Sequence, residues 1–598
     1  MSSKPLRQSC VPPPLCYAYV HGNLNLLNVG AVEMLCCRWS LGESMYDYVI
    51  IGGGSAGSVL AARLSEDPSL TVCLLEAGGR GDGIFSRVPM AAAAVVPGHV
   101  KSANWRFSTV PQPGLNGRRG YQPRGRGLGG SSLINAMLYV RGHARDYDEW
   151  AALGCEGWSW DDVLPWFRKS EDNIRGADDL HGRGGPLQVC DQNWTRPINQ
   201  AFLKACEQSG HRQNDDFNGP QQEGAGVYQA TQFWNGPKRG ERCSAAAAYL
   251  HDVMTRRNLT VITEAQVTRI IVERGRAVGV AYRHGKEQRV VRAGREVLLS
   301  AGALQSPQIL MLSGIGPADH LTSLGISVVA DSPEVGANLQ DHLDYTMIFR
   351  SPDTDMFGMG LTAARDLMRA ANEWRTERMG HLRSTCAESG AFLKTDPSID
   401  RPDIQLHFLV AMVDDHVRKM HWGYGYSCHV CVLRPHSRGT VRLASADPMA
   451  APLIDPAFLS DARDLEALRK GARVMAEIMA APALNKYRGA ELYPPGSSDT
   501  ELDAAIRARA DTIYHPVGTC RMGSDPAAVV DVRLKLNGVE GLRVIDASVM
   551  PRLIGGNTNA PVIMMAEKIA AAIKAEVRPV RERVAAKGVN SESGLHFA

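Results

Sequence analysis

Tyr46-Asp-Tyr-Val-Ile-Ile51 runs into Gly52-Gly-Gly-Ser55-Ala56-Gly57 and then into Ser58-Val-Leu-Ala-Ala-Arg-Leu64. The first segment is β-rich and apolar, the second is a glycine turn and the third has helical character. Asp67-Pro68 stops the helix, and Thr71-Val-Cys-Leu-Leu75 gives a second strand ending at Glu76. The order is strand, turn, helix, strand. Gly52-x-Gly54-x-x-Gly57 therefore sits where a dinucleotide-binding turn belongs. Gly52 makes the tight turn, Gly54 lets backbone N–H groups approach a pyrophosphate, and Gly57 permits close helix packing. The helix N-terminus beside Ser55 and Ala56 supplies unpaired donors and a partial positive charge. Glu76 stands at the distance where an acid meets ribose hydroxyls. This unit leaves open whether the dinucleotide carries nicotinamide or flavin.

The 598 residues exceed one ordinary core, so two structural units or one large composite are expected. Hydrophobic residues at 44% and charged residues at 22% give the balance of a folded cytosolic-type enzyme. A formal charge of +3 with interspersed signs provides no footprint for nucleic acid. No uncharged apolar run reaches the ~20 residues of a spanning helix; peripheral contact with an inner membrane stays open. The 13 cysteines show no zinc-ligand pairing, and Cys428-His-Val-Cys431 reads as buried thiols on a strand. His416 and His421, near Asp414 and Asp415, read as a solvated loop rather than metal ligands, so no metal site is expected. Leu259–Thr263, Val267–Val272, Ala277–Tyr282 and Glu296–Ser300 read as strands returning to the dinucleotide unit. Leu361–Leu382 carries a helical stretch, with Leu367, Met368, Ala371 and Trp374 at helical spacing, and reads as a core or lid helix rather than a membrane-surface one.

Two further segments decide the class: Gly125-Arg-Gly-Leu-Gly129-Gly130-Ser-Ser-Leu-Ile-Asn135 and Gly302-Ala-Leu-Gln-Ser-Pro-Gln-Ile-Leu-Met-Leu-Ser-Gly-Ile-Gly316. With the dinucleotide turn they resemble the glucose-methanol-choline oxidoreductases, from Tyr46 to about Lys574. The resemblance implies an α/β fold: a Rossmann-like FAD-binding domain joined to a discontinuous substrate domain built on an antiparallel sheet. It assigns residues 45–150, 226–343 and 511–577 to FAD binding, the last with the active-site residues, and 151–225 and 344–510 to the substrate domain. Residues 1–44 read as a disordered extension, with Met45 the native start, and 578–598 as a tail. The resemblance also places Glu76 on the adenosine ribose, Val267 near adenine, and Gly129, Gly130, Asn135 and Ala136 at the flavin. Asp546 and Ala547 are placed at the phosphates and flavin. Some members attach FAD through a histidine directly after the Ser-Ser pair; Leu133 stands there in this chain, which implies non-covalent FAD.

Tyr514-His515-Pro-Val-Gly-Thr-Cys-Arg-Met-Gly523 and Gly555-Gly-Asn-Thr-Asn-Ala-Pro561 resemble the segments that place the family's catalytic pair, and carry-over gives His515 and Asn559. An imidazole that titrates near neutral pH suits removal of an alcohol proton, while an amide holds the same oxygen. The implied reaction is oxidation of a primary, aliphatic alcohol to the aldehyde by hydride transfer to flavin, with electrons passed to a quinone or another non-oxygen acceptor. Choline dehydrogenase and an oxygen-using alcohol oxidase are the alternatives. A quaternary ammonium needs an aromatic cage or buried carboxylate, and aromatic residues are only 6%. A light-driven fatty-acid decarboxylase of the family has a cysteine resembled by Cys386. His407 stands where that enzyme has an arginine, and His515 where it has no histidine, which sets that reading aside. Retention of His515 and Asn559 likewise sets aside a non-catalytic flavin-binding protein.

Overall fold

The computed structural model describes residues 44–192 and 194–577. The readings of residues 1–43 as an extension and 578–598 as a tail lie outside these; Ser44 is already the first residue of a strand. That strand, β1 (Ser44–Ile51), is followed by helix α1 (Ser55–Leu64) and strand β2 (Val72–Leu75), the order read from sequence. Val49, Ile50, Val72 and Leu74 are fully buried, as expected of parallel strands covered on both faces. The turn tolerates only glycine at two points. Gly52 has φ +94°, and a Cβ on Gly57 would lie 1.9 Å from the Gly52 carbonyl oxygen.

β1 and β2 lie in a seven-stranded sheet ordered Ala265–Glu273, Arg276–His284, Glu287–Leu299, β1, β2, Leu259–Ile262, with Leu542–Val544 also pairing Glu287–Leu299. Its centre is parallel, and Ala265–Leu299 adds an antiparallel meander. The strands expected between Leu259 and Ser300 are all in this sheet.

The second large sheet is antiparallel along its main path: Asp511–Thr512, Leu343–Ser351, Gly423–Val432, Ile404–Leu409, Ala387–Leu393, Gly224–Val227. Its central strands alternate. Tyr345, Met347, Ile404, Leu406, Phe408, Cys428 and Val430 form one apolar cluster with Leu468, Ala472 and Met475 of the helix Ala462–Ala480. Contact is close there, because a Cβ on Gly471 would meet Ile404 and Val430 at 3.0 Å. Residues of the opposite register, Asp344, Thr346, His407 and His429, face a cavity. Cys428 and Cys431 are buried thiols on one strand, as expected.

One expectation narrows and another changes. The helix Leu361–Glu377 is a surface element and not a core helix: only Ala370 and Trp374 are buried, while Leu367 and Met368 are 54% and 66% exposed. Its apolar spacing is used over one narrow contact rather than as a core stripe. The segment Asp414–Lys419 is also no solvated loop. His416 is buried between Tyr514 Oη (2.7 Å) and Asp511 (3.2 Å), and Asp415, His416 and Val417 all hold positive φ. Left-handed backbone in three consecutive non-glycine residues is strained and is sustained by such anchoring.

Candidate active site

A cavity of about 750 Å³, of a size that encloses organic ligands, runs from the dinucleotide turn to the antiparallel sheet. It is lined by Gly52, Gly54, Ser55, Ala56, Glu76, Gly130, Asn135, Ala136, Val267, Asp546 and Ala547, and also by His515 and Asn559. Gly57 and Gly129 are not on its lining. Gly57 packs against the turn behind it, and Gly129, at φ +108°, packs against Leu133.

The wall at the turn is bare backbone. A Cβ on Gly54 would meet nothing closer than 3.9 Å, and one on Gly302 nothing within 4 Å. Both line the cavity, as does Ser300, whose buried hydroxyl has no partner among the described residues. Open amides at a helix N-terminus and an unpartnered hydroxyl suit a phosphate-bearing dinucleotide. Glu76 is buried, with Oε2 accepting from Gly53 N (2.8 Å) and Oε1 from Gly78 N (2.7 Å) and Gly127 N (3.0 Å). The carboxylate thus ties together the two glycine segments that were read separately in the sequence. Asp546 does the same at the far strand end, accepting from Gly302 N (2.8 Å), Ser306 Oγ (2.5 Å) and Ser548 N (2.8 Å). Asn135 Oδ1 accepts from Met137 N and from the buried Arg242 guanidinium, which also holds the Asn135 carbonyl. Burial lowers Arg242 to about 9.

The opposite wall carries the titratable groups. His515 follows Tyr514, which has φ +75°, and its backbone N–H donates to Asp341 Oδ1 at 2.9 Å. Burial raises Asp341 to about 6, against the opposing effects of Thr512 and Arg124. The next residue sets the ring. His342 Nε2 lies 3.0 Å from the Leu433 carbonyl and His342 Nδ1 lies 3.0 Å from His515 Nδ1. A carbonyl only accepts, and burial lowers His342 to about 4, so its Nε2 carries the proton and its Nδ1 the lone pair. His515 Nδ1 is therefore the donor, and His515 Nε2 keeps its lone pair. Burial first, then His342 and His407, hold His515 well below the usual imidazole value.

His515 Nε2 faces Asn557, whose Nδ2 lies 3.3 Å away, while Asn557 Oδ1 accepts from Gln405 Nε2 at 3.2 Å. Asn559 is elsewhere: it begins the helix Asn559–Val577, and its Oδ1 accepts from Ser55 Oγ at 2.7 Å. The amide that meets the histidine is thus two residues earlier than the sequence reading placed it. Asn559 instead braces the helix that opens the dinucleotide turn. The sequence reading did not single out Asp341, His342, Gln405 or Asn557. Asn557 was within the quoted segment; the other three lie on distant strands and loops, where no local spacing marks them.

The GMC oxidoreductase family matches this chain over residues 46–344 and again over 435–566. The chain belongs to the GMC oxidoreductase family. It is an FAD-dependent oxidoreductase acting on an alcohol-type substrate. A Pseudomonas putida protein named alcohol dehydrogenase [acceptor] is 46% identical, the match covering 89% of this chain and 96% of that protein. The mitochondrial choline dehydrogenase of Mus musculus is 44% identical over 90% of both. The crystal structure of a pyridoxine 4-oxidase from Mesorbium loti superposes with a TM-score of 0.80 at 34% identity, over 89% of this chain and 99% of that one. These GMC relatives share the fold over nearly all the described residues. Among those residues no helix is long and apolar enough to cross a membrane.

Proposed function

We propose that the protein oxidises a primary alcohol to the aldehyde, with His515 as the base and Asn557 as its hydrogen-bonding partner. The observation that carries this is the orientation chain from Leu433 O through His342 to His515 Nε2, which presents a lone pair to Asn557 Nδ2. A substrate hydroxyl entering between them donates its proton to Nε2 and accepts from Nδ2. As the proton leaves, Asn557 stabilises the growing alkoxide, and Gln405 keeps the amide turned that way. The surrounding burial keeps His515 neutral and ready to accept. When bound, FAD supplies the acceptor for the hydride released from the carbinol carbon. Gly52, Gly54, Gly130 and Ser300 would hold its phosphates and rings. Leu133, buried beside Val95 and Ile134, offers no nucleophile, so FAD is held without a covalent bond.

The test is anaerobic. Mixing the yellow protein with a primary alcohol should bleach the flavin band, and His515→Ala should stop the bleaching while FAD stays bound. Bleaching that persists at the wild-type rate in the variant would remove His515 from the mechanism.

The relatives support the alternatives of the sequence reading more than its first choice of an aliphatic alcohol with a non-oxygen acceptor. A choline dehydrogenase stands within two percentage points of identity of the alcohol dehydrogenase, and a pyridoxine oxidase shares the fold. Comparing reoxidation by air with reoxidation by a soluble quinone assigns the acceptor. A quinone would bring the protein transiently to a membrane surface.

A further inference from the structure

Three side chains of the antiparallel sheet have polar atoms that nothing among the described residues satisfies. They are Asp344 Oδ1, His429 Nε2 and both ring nitrogens of His407. All three residues are more than nine-tenths buried, and all line the cavity that holds His515. They also share a face of the sheet. His407 pairs in register with His429, and His429 with Thr346, while Gln405, Cys431 and Asp344 form the neighbouring row. His429 Nδ1 is engaged by Asp344 Oδ2 at 2.6 Å and by Thr346 Oγ1 at 2.9 Å, which fixes the direction of the His429 ring and the Asp344 carboxylate. His407 lies flat against Tyr228, with centroids 5.8 Å apart. The remaining atoms of His429 and Asp344 are therefore preset rather than free to find partners.

We infer that His407, His429 and Asp344 form a second recognition site for a hydroxyl group of the substrate, so that the alcohol oxidised is a diol or polyol. This rests on the alcohol-oxidation reading above and names its substrate class. Gln405, which touches Asn557, is two residues from His407 on one strand, about 7 Å along it. The second hydroxyl is thus a few bonds from the carbon that reacts. Donor and acceptor types select the group. The carboxylate oxygen can only accept, and a neutral imidazole offers one N–H and one lone pair. A hydroxyl both donates and accepts. An ether oxygen accepts only, and an alkyl chain does neither, leaving buried polar atoms unpaired at a cost in binding. A trimethylammonium group has no N–H to give, and the charge of Asp344 already faces His429. Among the described residues no aromatic cage replaces it: the Trp105 ring is stacked on Phe107 and capped by Arg126, and Tyr514 is engaged by His416.

The experiment uses the FAD-loaded enzyme and three alcohols of equal heavy-atom count: butane-1,4-diol, 2-ethoxyethanol and pentan-1-ol, with choline as a fourth. The rate of flavin reduction at limiting substrate gives kcat/KM for each. The diol is expected to exceed pentan-1-ol by at least about tenfold, with the ether between them. In His407→Leu the ratio of kcat/KM for the diol to that for pentan-1-ol should collapse toward one, and His407→Gln should restore part of it. Asp344→Asn should narrow the advantage without removing bound FAD, which controls for folding. Equal or better use of pentan-1-ol or choline by the wild type overturns the inference, as does a diol preference untouched by both His407→Leu and Asp344→Asn. If no alcohol bleaches the flavin, the alcohol-oxidation reading itself fails and this one falls with it, an outcome distinct from a lost preference.

Discussion

The two walls of the cavity are built on opposite plans. The dinucleotide wall is backbone: glycines, helix ends and two carboxylates, Glu76 and Asp546, spent on holding loops together. The facing wall is side chain: histidines, amides and an aspartate projecting from one face of a sheet. Backbone recognition tolerates no added atom, whereas side-chain recognition tolerates replacement and changes only what is recognised or how fast it reacts. One wall should therefore fail in an all-or-none manner and the other by degrees.

The sharpest way to break this contrast is Gly57→Ala. The added Cβ would sit 1.9 Å from the Gly52 oxygen, so the purified variant should carry no flavin in its visible spectrum; a yellow, active variant would contradict the all-or-none plan. On the other wall, His515→Ala should lower the rate of flavin reduction about 100- to 10,000-fold with FAD content unchanged. Smaller still, and most discriminating, is the asparagine pair. Asn557→Ala should slow reduction by about 100-fold. Asn559→Ala removes the contact to Ser55 and should cost about 1 kcal/mol of stability in denaturant unfolding with little loss of rate. The reverse pattern would return the partner's role to Asn559.

The smallest effect is on pH. The folded-state pKa of His515 is lowered from its ordinary 6.5 by burial and by the neighbouring His342 and His407, so the base stays neutral as pH falls through that value. A profile of kcat/KM should run flat through pH 6.5 and bend only below it. The same sign applies to stability. His342, lowered to about 4, and His407, lowered to about 3, resist protonation when folded. The unfolded chain takes up protons near pH 6.5, so stability drains away as pH drops from there toward 3. A melting temperature that rises on acidification over that window would refute the neutral assignment of these rings.

The backbone wall was legible in the sequence because its parts are local: strand, glycine turn and helix occupy Tyr46 to Leu64, and Glu76 closes the next strand. The side-chain wall was legible only in outline. His515 stood in a motif, but two asparagines two residues apart fit the same motif, and only the onset of the helix at Asn559 decides which of them faces the histidine. His342 and Gln405 act through contacts with residues far away in the chain, which no single segment encodes. The surface helix Leu361–Glu377 was legible only as a helix for a related reason: apolar spacing marks a face and does not say how much of it finds a partner.

Between β1 and Val544 the chain passes from one large sheet to the other four times. Each sheet also receives its last strand late: Asp511–Thr512 for one and Leu542–Val544 for the other. A chain emerging from the ribosome therefore holds both sheets incomplete, with apolar strands awaiting partners hundreds of residues downstream. Such long-range closure folds slowly and exposes edges meanwhile. Assembly is deferred until residues 511–544 arrive, and the same part of the chain brings His515 and, just after it, Asn557, so closing the sheets and arming the site fall together.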